Sequence, residues 1–237
     1  MSGWLDFWSR ANRIYVNERH LRAHYARIAD DLIEMLADRP RHMVLLDWGC
    51  GSALATPRLI AAGIEVWLFD RSPHYQAELA ERFGGGPGIR LLDEAGYATL
   101  PDGSIDVLLV NSVVQYLDRP TLGALLVAWT RLLKPGGVIV LGDLLPPGDT
   151  TLADVRALLA AALRHGFLTA ALVNLAVMLF SDYRRLRVGL GLAAYAPDEF
   201  LTILAGAGLA GRYRPRNIGF FPHRRTCVAQ PIAPNVQ

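Results

Sequence analysis

The dense apolar run Met43-Val44-Leu45-Leu46-Asp47 breaks at Gly49 to Gly51, and this break constrains the fold more than any other feature of the chain. A run so short and so apolar reads as a strand buried on both faces. The stretch behind it, Ser52 to Ala62, reads as a helix with Pro57 in its first turn, where a missing N–H is tolerated. A strand, a glycine turn and a helix in that order let the backbone approach a ligand closely. Glycine has no Cβ to obstruct the approach, and the helix N-terminus leaves N–H groups free for a carboxylate or phosphate.

The same rhythm continues. Ile64 to Phe69 reads as a strand ending in Asp70, and Pro73 to Phe83 as a helix stopped by Gly84 to Gly86. Ile89 to Leu92 and Ile105 to Val110 are further apolar strands, with a polar loop around Pro101-Asp102-Gly103 between them. A helix over about Thr121 to Leu133 stops at Pro135-Gly136-Gly137, and Val138 to Leu141 is another buried strand. Strands alternating with helices predict a parallel sheet covered on both faces. Ahead of this unit, apolar positions from Ile14 to Leu36 recur at helical spacing, which predicts a long amphipathic helix closed by Pro40. Behind it, Thr151 to Arg187 predicts one or two helical segments rich in Ala and Leu, and Pro197-Asp198-Glu199 starts another helix. Leu209 to Tyr213 and Arg225 to Ala229 are expected to pair as an antiparallel hairpin at a sheet edge.

Composition narrows the class. The 237 residues are 52% hydrophobic and 19% charged, which is opposite to the signature of disorder. The formal net charge of +2 comes from scattered basic residues, so the electrostatic footprint of a nucleic-acid binder is missing. Cys50 and Cys227 stand far apart in no metal-like spacing, which suits a reducing cytoplasm. Asp6, Arg10 and Arg13 interrupt any apolar leader, so the expected location is cytoplasmic.

The second strand ends at Asp70, about 20 residues beyond Gly49, the offset at which a carboxylate reaches a ribose diol. Turn and acid together indicate an adenosine-type ligand. A dinucleotide would ask for GxGxxG, and the third glycine is absent from Gly49-Cys50-Gly51-Ser52-Ala53-Leu54. The Asp47-Trp48-Gly49-Cys50-Gly51 form instead resembles motif I of class I S-adenosylmethionine methyltransferases. Four further segments resemble that family in the right order: Leu100 to Val107, Val110 to Leu117, Leu132-Leu133-Lys134-Pro135-Gly136-Gly137, and Tyr195 to Phe200 with Ala207-Gly208-Leu209.

The resemblance covers roughly Met43 to Leu209 and implies a Rossmann-like, doubly wound, mostly parallel seven-stranded α/β sheet of order 3-2-1-4-5-7-6. It further implies a single methyltransferase domain over 1–237. Within it, 1–40 is an N-terminal helical cap acting as a lid, 41–143 the cofactor-binding core, 144–196 an apolar helical insertion after strand 5, and 197–237 a C-terminal helix and strand hairpin. The implied cofactor is S-adenosyl-L-methionine and the implied activity is methyl transfer to a small-molecule acceptor. Position by position, the cofactor residues would be Asp47, Gly49, Cys50, Gly51, Asp70, Arg71, Glu94, Asn111 and Tyr15, with Asp143, Asn111 and Ser112 serving catalysis and no metal. Two positions depart from the family pattern. Ala53 replaces a usual glycine, and Gly96 stands where an adenine-binding acid is often found, leaving Glu94 or the backbone around it for that task.

Other residues have plainer readings. His74 and Tyr75 follow the ribose acid, either beside the adenine or solvated at a helix start. His20 and His24 share a helix face but lack a third metal ligand, so they are expected at the surface. His223, beside Arg224 and Arg225, reads as a solvated hairpin end, and Asp143 either orients substrate or caps a loop. The apolar stretch Phe167 to Phe180 would span about 21 Å as a helix, short of the roughly 30 Å hydrocarbon core, so no transmembrane span is expected. A buried core helix, a lid over a hydrophobic or lipid-like acceptor, a homodimer contact and a membrane-surface contact all remain open for it. Arg184, Arg185 and Arg187 follow it and read as a solvated turn or as partners of an acidic group.

Overall fold

Strands that are apolar at every position need cover on both faces, and the helices supply it. A computed structural model describes Trp8 and residues 17–40, 42–84, 86–148, 150–178 and 191–232. Helix α1 (Glu18–Met35) leads into β1 (Val44–Trp48), α2 (Thr56–Ala61), β2 (Glu65–Phe69), α3 (Pro73–Phe83), β3 (Ile89–Leu92), α4 (Glu94–Ala98) and β4 (Ile105–Asn111). A 3₁₀ turn, Val114–Tyr116, precedes α5 (Arg119–Leu132) and β5 (Leu133–Leu144). Then come α6 (Thr151–His165), α7 (Leu168–Met178), α8 (Pro197–Gly206), β6 (Leu209–Tyr213) and β7 (Arg225–Pro231).

The sheet order is β3-β2-β1-β4-β5-β7-β6, as the resemblance implies. The pairs from β3 to β5 are parallel, whereas β7 runs antiparallel to both β5 and β6. Every residue of β1 is buried, and its side chains alternate between two cores. Leu46 and Trp48 meet Trp129 of α5 and Phe200 of α8 on one face, while Leu45 joins Leu32 of α1 and Leu59 of α2 on the other.

Local chemistry sets the helix starts. Asn17, Ser72 and Asp118 each accept a backbone N–H at the N-terminus of α1, α3 and α5, and Pro73 and Pro120 occupy the first turns of α3 and α5. Helix α2 starts at Thr56 rather than Ser52, because Gly51 and Ala53 hold positive φ, incompatible with a right-handed helix. The stretch between β3 and β4, expected as loop, contains α4, for which Asp93 acts as cap by accepting from Gly96 N at 2.7 Å. Strand β5 begins at Leu133, ahead of the Gly136-Gly137 turn. The described residues of the insertion include a pair of helices, α6 and α7, joined at Gly166 in the left-handed conformation and packed through Ala161, Ala162, Phe167 and Ala171. No helix among the described residues is long and apolar enough to cross a membrane.

Candidate functional site

After β1 the chain turns through Gly49 and Gly51, at φ 75° and 55°. At Gly49 the demand is also steric, since a Cβ would lie 2.7 Å from Val113 Cγ2 beyond the end of β4. The turn is pinned to β2: the Gly49 and Cys50 N–H groups donate to Phe69 O at 2.8 and 3.3 Å. Gly51 N–H donates to Asp70 Oδ2 at 2.9 Å, and Ser72 N–H donates to Asp70 Oδ1 at 2.8 Å. One carboxylate thus ties together the two segments expected to cup the ligand, and each of its oxygens retains a second lone pair.

A cavity of about 260 Å³ opens over this turn. Its lining includes Asp47, Gly49, Cys50, Gly51, Asp70 and Arg71 from the ends of β1 and β2, and Asn111 and Ser112 from the end of β4. These are ends of parallel strands on either side of the point where strand order reverses, where open α/β sheets bind ligands. Burial, and next the neighbouring Asp70, pushes the Asp47 carboxyl up to about 7. Burial also raises Asp70, against the lowering effect of the Ser72 and Gly51 N–H donors. The Cys50 thiol is raised well above its ordinary value by burial and by both acids, so it stays a neutral wall residue.

The end of β4 carries an uncommon arrangement. Ser112 and Asp143, on adjacent strand ends, both hold left-handed φ, 59° and 62°, which non-glycine residues rarely adopt. Ser112 Oγ donates to Asp143 Oδ2 at 2.8 Å, and Asn111 Nδ2 donates to Ser112 Oγ at 3.3 Å. Behind Ser112, Arg224 bridges two acids, donating through Nη1 to Asp143 Oδ2 at 2.6 Å and through Nη2 to Asp154 Oδ1 at 2.9 Å. Residues held in such conformations by over-determined surroundings cost about 1–3 kcal/mol each and cluster at functional sites.

Not every expected residue faces the cavity. Asp143 is buried behind Ser112 in the Arg224 ion pair and is absent from the lining, so it can act on the cavity only through Ser112. Glu94 is exposed on α4 and lies off the cavity, where its Oε1 accepts from Arg71 Nε at 2.8 Å. Ala53, at the departure from the family glycine, is fully buried with φ 46° and so carries the strain a glycine would avoid. Tyr15, Phe180, Arg184, Arg185 and Arg187 lie outside the described residues.

The histidine expectations need correction. His20 and His24 are not solvated surface residues. His20 is buried and stacks on Phe167 with centroids 4.9 Å apart, and His24 lines the cavity. Burial is the main cause lowering each to about 4, followed by His24 and His165 for His20 and by Arg224 for His24, so both rings are neutral at physiological pH. His223 is not a solvated hairpin end either, for its Nε2 lies 2.9 Å from Asp154 Oδ1. His74 is exposed off the cavity, whereas Tyr75 lines it. Beyond Tyr75, the sequence does not mark the aromatic walls. Trp8, Tyr25 and Tyr116 converge from separate segments, with Trp8 and Tyr116 edge to face at 5.6 Å. Only the helical spacing of Tyr25 with Ile28 hinted at an inward face.

Comparison with known proteins agrees with this geometry. A family model described as a methyltransferase domain matches residues 46–141, which span β1 to β5 and contain the turn, Asp70 and the β4 end. Nocamycin O-methyltransferase of Saccharothrix syringae is 31% identical over 190 residues, covering 76% of this chain and 64% of that protein. Malonyl-[acyl-carrier protein] O-methyltransferase of Yersinia pestis is 28% identical over 144 residues, covering 58% and 48%. This chain therefore spans between about half and two-thirds of the length of these relatives. Among solved structures, magnesium protoporphyrin IX methyltransferase of Synechocystis PCC 6803 with bound S-adenosylhomocysteine superposes with TM-score 0.58 at 15% identity, covering 97% of this chain and 94% of that one. Strand order, glycine turn and family model agree: residues 46–141 carry a methyltransferase domain, set in the sheet arrangement of class I S-adenosylmethionine-dependent methyltransferases.

Proposed function

We propose that this chain is a single methyltransferase domain that moves a methyl group from S-adenosylmethionine to a small-molecule acceptor of hydrophobic character. The observation that carries this reading is that Asp47, Asp70 and the Gly49–Gly51 turn share one cavity with the β4 end at Asn111 and Ser112. The donor set fits the cofactor: the buried Asp47 and the half-buried Asp70 offer counter-charge to sulfonium and ammonium groups, Asp70 has lone pairs for a diol, and Gly49 leaves space that a Cβ would fill. The bound cofactor supplies a methyl group already activated on a positively charged sulfur, so little is asked of the protein beyond alignment and exclusion of water.

In this reading Asp70 and the turn backbone hold the sugar and amino-acid ends, with Cys50 and Arg71 bordering them. Asp47 provides negative charge once deprotonated. Ser112, fixed in orientation by Asp143, and Asn111 present polar groups to the acceptor, and Asp143 is a positioning residue. Arg71 holds Glu94 at the rim, which puts Glu94 in an indirect role. Trp8, Tyr116 and Leu117 exclude water, and they are why a hydrophobic acceptor is favoured.

Isothermal titration with S-adenosylhomocysteine tests the reading, followed by methyl-labelled cofactor with apolar hydroxyl-bearing acceptors. Micromolar binding is expected, with Asp70→Ala weaker by about 1.5–3 kcal/mol, the loss of hydrogen bonds to a charged group. Absence of binding at millimolar ligand by a folded protein would overturn it.

A further inference from the structure

We propose that the outer face of the α6–α7 hairpin docks onto the surface of an anionic lipid bilayer. Six large apolar side chains stand prominently exposed among the described residues, and four of them, Leu152 at 73%, Leu163 at 71%, Leu172 at 53% and Val173 at 66%, lie on this hairpin. On α6, Leu152 and Leu163 are three helical turns apart and differ by roughly 20° around the axis, with Arg156 between them on the same side. Arg164 is exposed at the edge of that stripe.

Charge selects the partner. Between Thr150 and Met178 the only acid is Asp154, and it is turned inward to Arg224 and His223. The outward side therefore presents Arg156 and Arg164 with no acid among them, and neither arginine has an ion-pair partner among the described residues. A second copy of the same face would bring like charges together. An anionic bilayer complements both features, since guanidinium groups pair with lipid phosphates while leucines enter the headgroup boundary. The hairpin is fastened to the body for this purpose: Arg19 Nη1 donates to Gly166 O at 2.9 Å, and Phe167 is buried against His20. This inference does not depend on which reaction the cavity performs.

Co-sedimentation of the full chain with vesicles tests it. The protein is expected to pellet with vesicles of equimolar phosphatidylcholine and phosphatidylglycerol, to stay in solution with phosphatidylcholine alone, and to be released by salt. Arg156→Glu/Arg164→Glu should lower partitioning at least about 30-fold, the effect of two cations at a charged surface. Leu152→Ser/Leu163→Ser should lower it as well, with melting temperature and nucleoside binding retained because these side chains are exposed. Equal binding to neutral vesicles, no binding to anionic ones, or full retention by the charge-reversed variant would overturn the proposal. A dimer in sedimentation equilibrium that Leu152→Ser/Leu163→Ser dissolves would also overturn it, by assigning the face to a second copy.

Discussion

Asp47 gives the most quantitative test of the site. Its carboxyl is pushed from 3.8 to about 7, first by burial and then by Asp70. A raised folded-state value means that the folded protein binds this proton more tightly than the unfolded chain does. Stability from this group is therefore fully present below about pH 4, declines between about 4 and 7, and is flat above. Roughly three pH units at 1.36 kcal/mol each give a cost of about 4 kcal/mol above neutrality. The residue is only 9% exposed, so screening by solvent removes little of it. Asp47→Asn keeps the size and abolishes the titration. Urea unfolding should show the variant gaining about 2–3 kcal/mol over wild type between pH 5 and pH 8. The same linkage acts on binding, since a cationic ligand beside Asp47 favours the carboxylate. S-adenosylmethionine should release a proton on binding near pH 6, read by calorimetry in buffers of different ionisation enthalpy. A stability difference that is flat from pH 5 to 8, or proton uptake on binding, would refute the reasoning.

Two other perturbations probe the surroundings. Gly49→Ala should destabilise by about 2–4 kcal/mol, combining left-handed strain with overpacking against Val113. In a Val113→Ala background only the backbone part, about 1–2 kcal/mol, should remain in thermal unfolding. Arg224→Met should cost about 3–5 kcal/mol because it leaves the buried Asp143 without its cation and takes one partner from the half-buried Asp154, and chemical denaturation of a triple variant that also carries Asp143→Asn and Asp154→Asn should recover most of that loss.

Much of the fold was legible because it rests on local signals. Ser72-Pro73 and Asp118 mark helix starts by hydrogen bonds that span three residues, whereas Pro135-Gly136-Gly137, expected to stop the helix, lies within β5 three residues beyond the helix end at Leu132. The same signals were less visible where they were weak. Asp93 caps a helix of only five residues, too short for any periodicity to show.

The sequence by itself determined the strand, glycine turn and helix, the acid closing the second strand, and through motif order the arrangement of the sheet. Tertiary structure alone decided which polar residues face the cavity. Asp143 reaches Arg224 across 81 residues of chain, and that pairing draws it behind Ser112 instead of into the cavity. His20 is buried and His24 half-buried because Phe167 and Phe220 come to lie against them from distant segments. Turn and cap chemistry is written within a few neighbouring residues, whereas burial and ion pairing depend on contacts that exist only once the chain has closed on itself.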